Sequence, residues 1–247
     1  MKNIMSLLAG LAFCGSAVAL ADSQVTVHYP GNSATVQVDH AQDLATLLAS
    51  PALAGRSWWP GTLIAEHGAT AIAQQHYQQT LAALRAWQAQ TDGERAAAIG
   101  QVIQQLSRLR VTGRQFTPLD PDWVRIRPEA NRRLKGRYDV YTLDQPDSVL
   151  LVGAIADAGA VSWQPGRDVR DYLEGHARLT GAEKSVVTVI TPAGATHQVP
   201  VAYFNHRYAE VEPGSTLFVG FSDGSLPHAF ADLNSRILTV LTHRIPD

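Results

Sequence analysis

The chain has almost no sulfur, with one cysteine, Cys14, and two methionines in 247 residues. A single cysteine forms no intrachain disulfide and builds no thiolate metal centre, so stability has to come from packed cores. Strong charge of either sign is also missing. Twenty basic and 22 acidic residues leave a formal charge of −2 at pH 7, which supplies no global attraction to nucleic acid or to anionic lipid. Beyond the N-terminus no apolar run is long enough to cross a bilayer alone. The nine histidines are scattered and form no H-E-x-x-H pair. No glycine-rich phosphate loop occurs either, so no metal and no cofactor is expected.

What stands at the start of the chain is the pattern of a secretory signal. Lys2 gives the positive end, residues 4–18 the apolar segment, and Ala19-Leu20-Ala21 the small-x-small cleavage site. Residues 1–21 are therefore read as a removed signal peptide, with Asp22 as the first mature residue and the periplasm as the compartment. Leu11 lies three residues before Cys14, as in lipid-modified leaders, but bulky Phe13 suits that processing poorly.

The remaining stretch of about 226 residues is long enough for two domains. Alternating apolar and polar residues at Gln24 to Tyr29 and at Ala34 to Val38 flank Pro30-Gly31-Asn32-Ser33, a hairpin signal. Leu44, Leu47 and Leu48 have helical spacing, closed by Pro51. From Ala69 to Gln90 the stripe Ile72, Tyr77, Leu81, Leu84 and Trp87 predicts a long helix. Thr91 and Glu94 have capping-box spacing ahead of a second helix carrying Ile99, Val102, Ile103, Leu106 and Leu109. Strand-like sequence is read at 110–113, 123–127 and 138–142. Residues 22–142 are thus expected to form one β-grasp domain with a helical insertion at about 64–109, and residues 143–147 a linker. Residues 148–224 read as a second β-grasp domain in the order ββαβββ, its short helix at 169–173 capped by Asp168. The last segment, 225–247, is expected to be an amphipathic helix running from Leu226 to His243. Its stripe of Leu226, Phe230, Leu233, Ile237, Val240 and Leu241 either docks on the chain's own core or engages a partner or membrane, while Asp232 and Arg236 forbid a lone span. The fold class is α+β.

Several residue patterns invite chemistry. Gly220-Phe221-Ser222-Asp223-Gly224 matches G-x-S-x-G, but no βαβ unit precedes it and only 23 residues follow to supply an acid and a histidine. Asp120 and Asp122 flank Pro121 in a turn, which explains them better than glycoside cleavage does. Arg125, Arg127, Arg132, Arg133, Lys135 and Arg137 cluster closely. They suit either an anionic sugar chain or a solvated edge of a sheet. Arg110 and Arg114 sit where the insertion returns to the sheet, a place for a crevice. Trp58 and Trp59 offer rings for sugar stacking, or core packing.

A family resemblance rests on separated motifs in order: Leu109-Arg110-Val111-Thr112-Gly113-Arg114, Arg127-Pro128-Glu129-Ala130-Asn131-Arg132-Arg133-Leu134, Val152-Gly153-Ala154-Ile155 through Arg167-Asp168-Val169, Pro213-Gly214-Ser215-Thr216-Leu217, Ala231-Asp232-Leu233-Asn234 and Arg244-Ile245-Pro246-Asp247. Through them the chain resembles the GfcC family of capsule biosynthesis proteins. The resemblance implies two β-grasp domains related to the soluble-ligand-binding domains of polysaccharide export channels, a helical insertion and a C-terminal amphipathic helix. It ranks Arg114, the family's arginine beside the insertion, first among binding residues. The implied role is non-catalytic, with surface polysaccharide or polysaccharide export proteins as partners. The rivals are a polysaccharide-modifying enzyme and a ring-forming channel component.

The signal reading predicts that protein recovered from the periplasmic fraction begins at Asp22. Its intact mass checks this, and retention of residues 1–21 there would exclude cleavage.

Overall fold

The structure is a computed structural model that describes residues 23–31, 34–55 and 57–246. The segment read as a signal peptide, Asn32 and Ser33 of the expected hairpin turn, and Asp247 of the C-terminal motif lie outside the described residues.

The first half opens with the predicted hairpin, β1 (Ser23–His28) and β2 (Thr35–Asp39), followed by α1 (Leu44–Leu48) and β3 (Leu63–Glu66). The insertion is α2 (His67–Ala89) and α3 (Gly93–Ser107), after which come β4 (Arg114–Gln115), α4 (Pro121–Ile126) and β5 (Gly136–Tyr141). The second half supplies β6 (Ser148–Gly153), β7 (Gly159–Ser162), β8 (Val186–Ile190), β9 (Thr196–Pro200), β10 (Thr216–Val219) and α5 (Leu233–Thr242). The two five-stranded sheets run β2-β1-β5-β3-β4 and β7-β6-β10-β8-β9. In each, the first and last strands pair in parallel at the centre and the other pairs are antiparallel. Both are therefore the same β-grasp-like topology. Where β8 turns into β9 within a few residues, the first unit inserts α2 and α3 between β3 and β4.

Side-chain alternation divides each sheet into two faces. On the first sheet Val25, Val27, Ile64 and Val140 join Leu44, Leu47 and Leu48 of α1 and Val124 of α4 in one core. The insertion does not belong to it. Leu81, Leu84 and Trp87 of α2 and Ile99, Val102 and Leu106 of α3 pack instead into the core of the second sheet, with Val152, Phe218 and α5. The Gln105 side chain fixes this docking by pairing with both backbone polar groups of one residue, Gly153. Its Oε1 accepts from Gly153 N at 2.8 Å and its Nε2 donates to Gly153 O at 3.1 Å. Gly153 is required there, since φ is +113° and a Cβ would stand 2.0 Å from the Val219 carbonyl oxygen.

Four local expectations are corrected. The segment 123–127 is not a strand, because Asp120 caps α4 by accepting from the amides of Asp122 and Trp123, and Pro121 sits in its first turn. Residues 110–113 form a single bridge, Val111 to Arg244, and the strand begins at Arg114. The expected helix at 169–173 shrinks to a 3₁₀ turn, Asp171–Leu173. Asp168 accepts from Ala209 N and meets His206 Nε2, anchoring a distant loop instead of capping. Thr91 does not cap α3 but donates its hydroxyl to Trp87 O at the end of α2, and Glu94 accepts from Thr180.

The C-terminal helix is ten residues, not eighteen. Leu226 precedes Pro227 and is held extended, and His228–Phe230 makes a 3₁₀ turn before α5 begins. Asn234 pins that start by accepting from Phe221 N at 2.9 Å and donating to Phe221 O at 2.7 Å. At 1.5 Å rise per residue α5 reaches about 15 Å. No helix among the described residues is long and apolar enough to cross a membrane.

Because Ile237 is fully buried between α2 and the second sheet, Ile237→Ala is expected to lower unfolding stability by about 2–5 kcal/mol. Urea unfolding followed by circular dichroism measures it, and a loss under about 0.5 kcal/mol would contradict the packing.

Candidate functional site

Arg114 opens β4, where the chain comes back from α3, and its side chain crosses to the second unit. Nη2 donates to the Pro192 carbonyl at 2.6 Å, and Cζ lies 5.7 Å from the centre of the Phe116 ring. Only 8% of the residue is exposed. The β8–β9 turn fits over it because Gly194, at φ +89°, carries no side chain. A Cβ there would lie 2.7 Å from Phe116 and 3.0 Å from Arg114 Cζ. The short turn of one unit thus sits on the arginine that closes the insertion of the other.

A cavity of about 120 Å³ opens at this joint, walled by Arg114 and Arg244, the hydroxyl residues Ser148, Thr191 and Thr216, and apolar residues that include Leu150, Ile190 and Leu241. None of its described wall residues is a carboxylate. Burial pushes the Arg114 pKa down to about 10, with the like charge of Arg244 as the second cause. Arg244 Nη2 approaches Thr216 Oγ1 at 3.4 Å. Two guanidiniums facing one small polar space favour an anionic group within it.

The other predicted site residues are distributed. Trp59 shares a second cleft of about 180 Å³ with Arg114, while Trp58 packs against Gly61 and its amide donates to Leu143 O. Arg110 is exposed and lies outside the Arg114 cavity. It lines two adjoining clefts of about 560 and 440 Å³ that share Arg110, Tyr141 and Ile245. Arg125 pairs with Asp122 at 3.0 Å and the Arg127 guanidinium lies 3.8 Å from the centre of the Trp123 ring. Both belong to the α4 side of the first sheet, the face opposite Tyr141, so they do not join Arg110 or Arg114.

The apolar stripe read as an interaction helix is turned inward. Leu233, Ile237, Val240 and Leu241 are buried, and Leu226 and Phe230 pack partly buried on the same core. It is therefore not a free surface for a membrane or a partner. Ser222 is held in its turn by the Ser225 hydroxyl at 2.7 Å and the Gly181 carbonyl at 3.3 Å. Among the described residues no group of three or more metal-ligating side chains is assembled.

Two parts of the picture escaped sequence reasoning. Arg244 comes to the cavity only because the tail docks, with Ile245 N donating to Arg110 O at 2.8 Å and Thr112 N to His243 O at 2.9 Å. Tyr141 and His28 stack at 4.5 Å between ring centres on the open face of the first sheet. The alternation of β1 and β5 carried that signal, placing both residues opposite Val27 and Val140.

The fold and the joint define a protein of two β-grasp-like units locked by a helical insertion, with a small cavity lined by two arginines between them. Comparison with known families matches residues 21–145 to capsule biosynthesis GfcC, N-terminal, and residues 157–246 to capsule biosynthesis GfcC, C-terminal. The uncharacterized protein YjbG of Escherichia coli (strain K12) is 39% identical over 241 residues, covering 98% of each chain. The chain belongs to the GfcC family of capsule biosynthesis proteins.

A buried cation whose pKa is lowered by folding costs stability at pH 7, a cost present below about pH 10 and relieved above it. Arg114→Met is accordingly expected to leave urea stability at pH 7 within about 1 kcal/mol of the parent, or to raise it. A loss of about 3 kcal/mol or more would make Arg114 a structural post instead of a binding group.

Proposed function

We propose that this is a non-catalytic periplasmic accessory protein of capsule or exopolysaccharide assembly and export, which works by binding the polysaccharide or a protein of the export machinery. The observation that carries this reading is the cavity lined by both Arg114 and Arg244 together with the hydroxyl residues Ser148, Thr191 and Thr216. Such a site recognises an anionic group and holds it. The candidates for bond-making chemistry offer no comparable arrangement. Asp120 is occupied as a helix cap, Asp122 pairs with Arg125, and Ser222 hydrogen-bonds no histidine or carboxylate among the described residues. Family membership over both halves of the chain supports the setting. Arg114 therefore acts as a binding residue, with Trp59 on the wall of the neighbouring cleft.

A strain lacking this gene is expected to lose or weaken surface polysaccharide. The full chain should restore it, and Arg114→Ala, present at normal level, should not. Unchanged surface polysaccharide in the deletion strain, with no paralogue to substitute, would sink the export reading.

A further inference from the structure

We infer that the open face of the first sheet carries a second binding site, a groove for an extended acidic polysaccharide whose carboxylates meet Arg110. This deepens the export reading and rests on it. The groove consists of the two adjoining clefts, about 560 and 440 Å³, each within the range typical of ligand sites. Because Arg110, Tyr141 and Ile245 line both, the clefts form one track, running from the exposed side of α2 to the turn after β1. A track of two joined compartments suits consecutive units of a chain polymer better than one small molecule.

Its chemistry is that of sugar recognition. Thr70, Gln74 and Gln78 recur every four residues and so lie along one face of α2 above the groove. Gln74 and Gln78 are exposed and make no side-chain hydrogen bond among the described residues. Each presents a donor and an acceptor on one planar group, suited to neighbouring hydroxyls. Tyr141, stacked on His28, adds a half-buried aromatic surface with a polar tip. Burial, then the nearby Asp139 charge, raises the Tyr141 pKa, so its hydroxyl stays a neutral donor.

Charge gives the groove its selectivity. Arg110 makes no ion pair among the described residues. No Asp or Glu is found among the described wall residues of either cleft. Asp139, whose charge acts on Tyr141 from behind the wall, is engaged on both oxygens, by His28 Nε2 at 2.7 Å and His67 Nε2 at 2.8 Å. An exposed guanidinium beside a Gln-lined, aromatic-floored track matches a uronate residue, which joins a planar carboxylate to a ring of hydroxyls.

The test titrates the mature protein with hexameric oligogalacturonate and with maltohexaose, a neutral chain of equal length, by calorimetry. The expected result is that oligogalacturonate binds at least tenfold more tightly than maltohexaose. Arg110→Gln and the double variant Gln74→Ala/Gln78→Ala, all at exposed positions, should each weaken it about tenfold with unchanged unfolding midpoints. No binding of oligogalacturonate, equal binding of the neutral hexamer, or insensitivity to Arg110→Gln would overturn the groove. Complementation of the deletion strain separates the two levels. Full display restored by Arg110→Gln combined with Gln74→Ala/Gln78→Ala would remove the groove and leave the export role standing. Normal display in the deletion strain itself would remove both.

Discussion

The centre of the second sheet is buried on both faces, and one of those faces is covered by helices that the first half of the chain supplies. Leu81, Leu84, Trp87, Ile99, Val102 and Leu106 are each no more than 3% exposed, all within the core of the second unit. Burying each aliphatic side chain of this set contributes about 1.5–3 kcal/mol. A solvated α2–α3 hairpin would forfeit that gain and leave Val152 and Phe218 facing water. The first sheet thus keeps its own core under α1 and α4, while its insertion completes the core of the second. The return contacts run the other way, since the tail after α5 bridges to Val111 and hydrogen-bonds Arg110 and Thr112. Each half completes the other.

The buried arginine follows from this interlock. β4 lies at the exit of the insertion, so whatever fixes α3 on the second sheet also fixes Arg114 against the β8–β9 turn. The Gln105 amide on the Gly153 peptide supplies that fixation. The Gly194 backbone then lets the turn approach closely enough for Pro192 to accept from the guanidinium. A charged group is retained where burial penalises it, beside a second cation, so stability alone does not account for it.

Long periodic elements were legible in the sequence. The hairpin of β1 and β2, the stripes of α2 and α3, and the strands of the second sheet follow from side-chain alternation and helical spacing over many residues. Short elements were misread where two local signals competed. Alternation at Trp123 to Arg127 suggested a strand, yet Asp120-Pro121 carried a helix start, and Trp123 and Ile126 proved 41% and 68% exposed. The stripe from Leu226 suggested one long helix, but Pro227 restricts its predecessor and splits the segment into a 3₁₀ turn and α5.

For the site, the sequence alone singled out Arg114 and Arg110 as arginines at the return from an insertion, because type and place in the chain order are local properties. It also determined the α+β class and the family motifs. Only the tertiary structure decided that these two arginines face different spaces, that Arg244 arrives from the far end of the chain, and that Tyr141 and His28 stack beside a row of glutamines. It likewise decided that the apolar stripe of α5 is spent inside the fold. Each of these depends on which face of a sheet or helix is covered and by what, and that is settled by packing between segments far apart in the chain. Local periodicity states that a face is apolar; it does not state which partner will bury it.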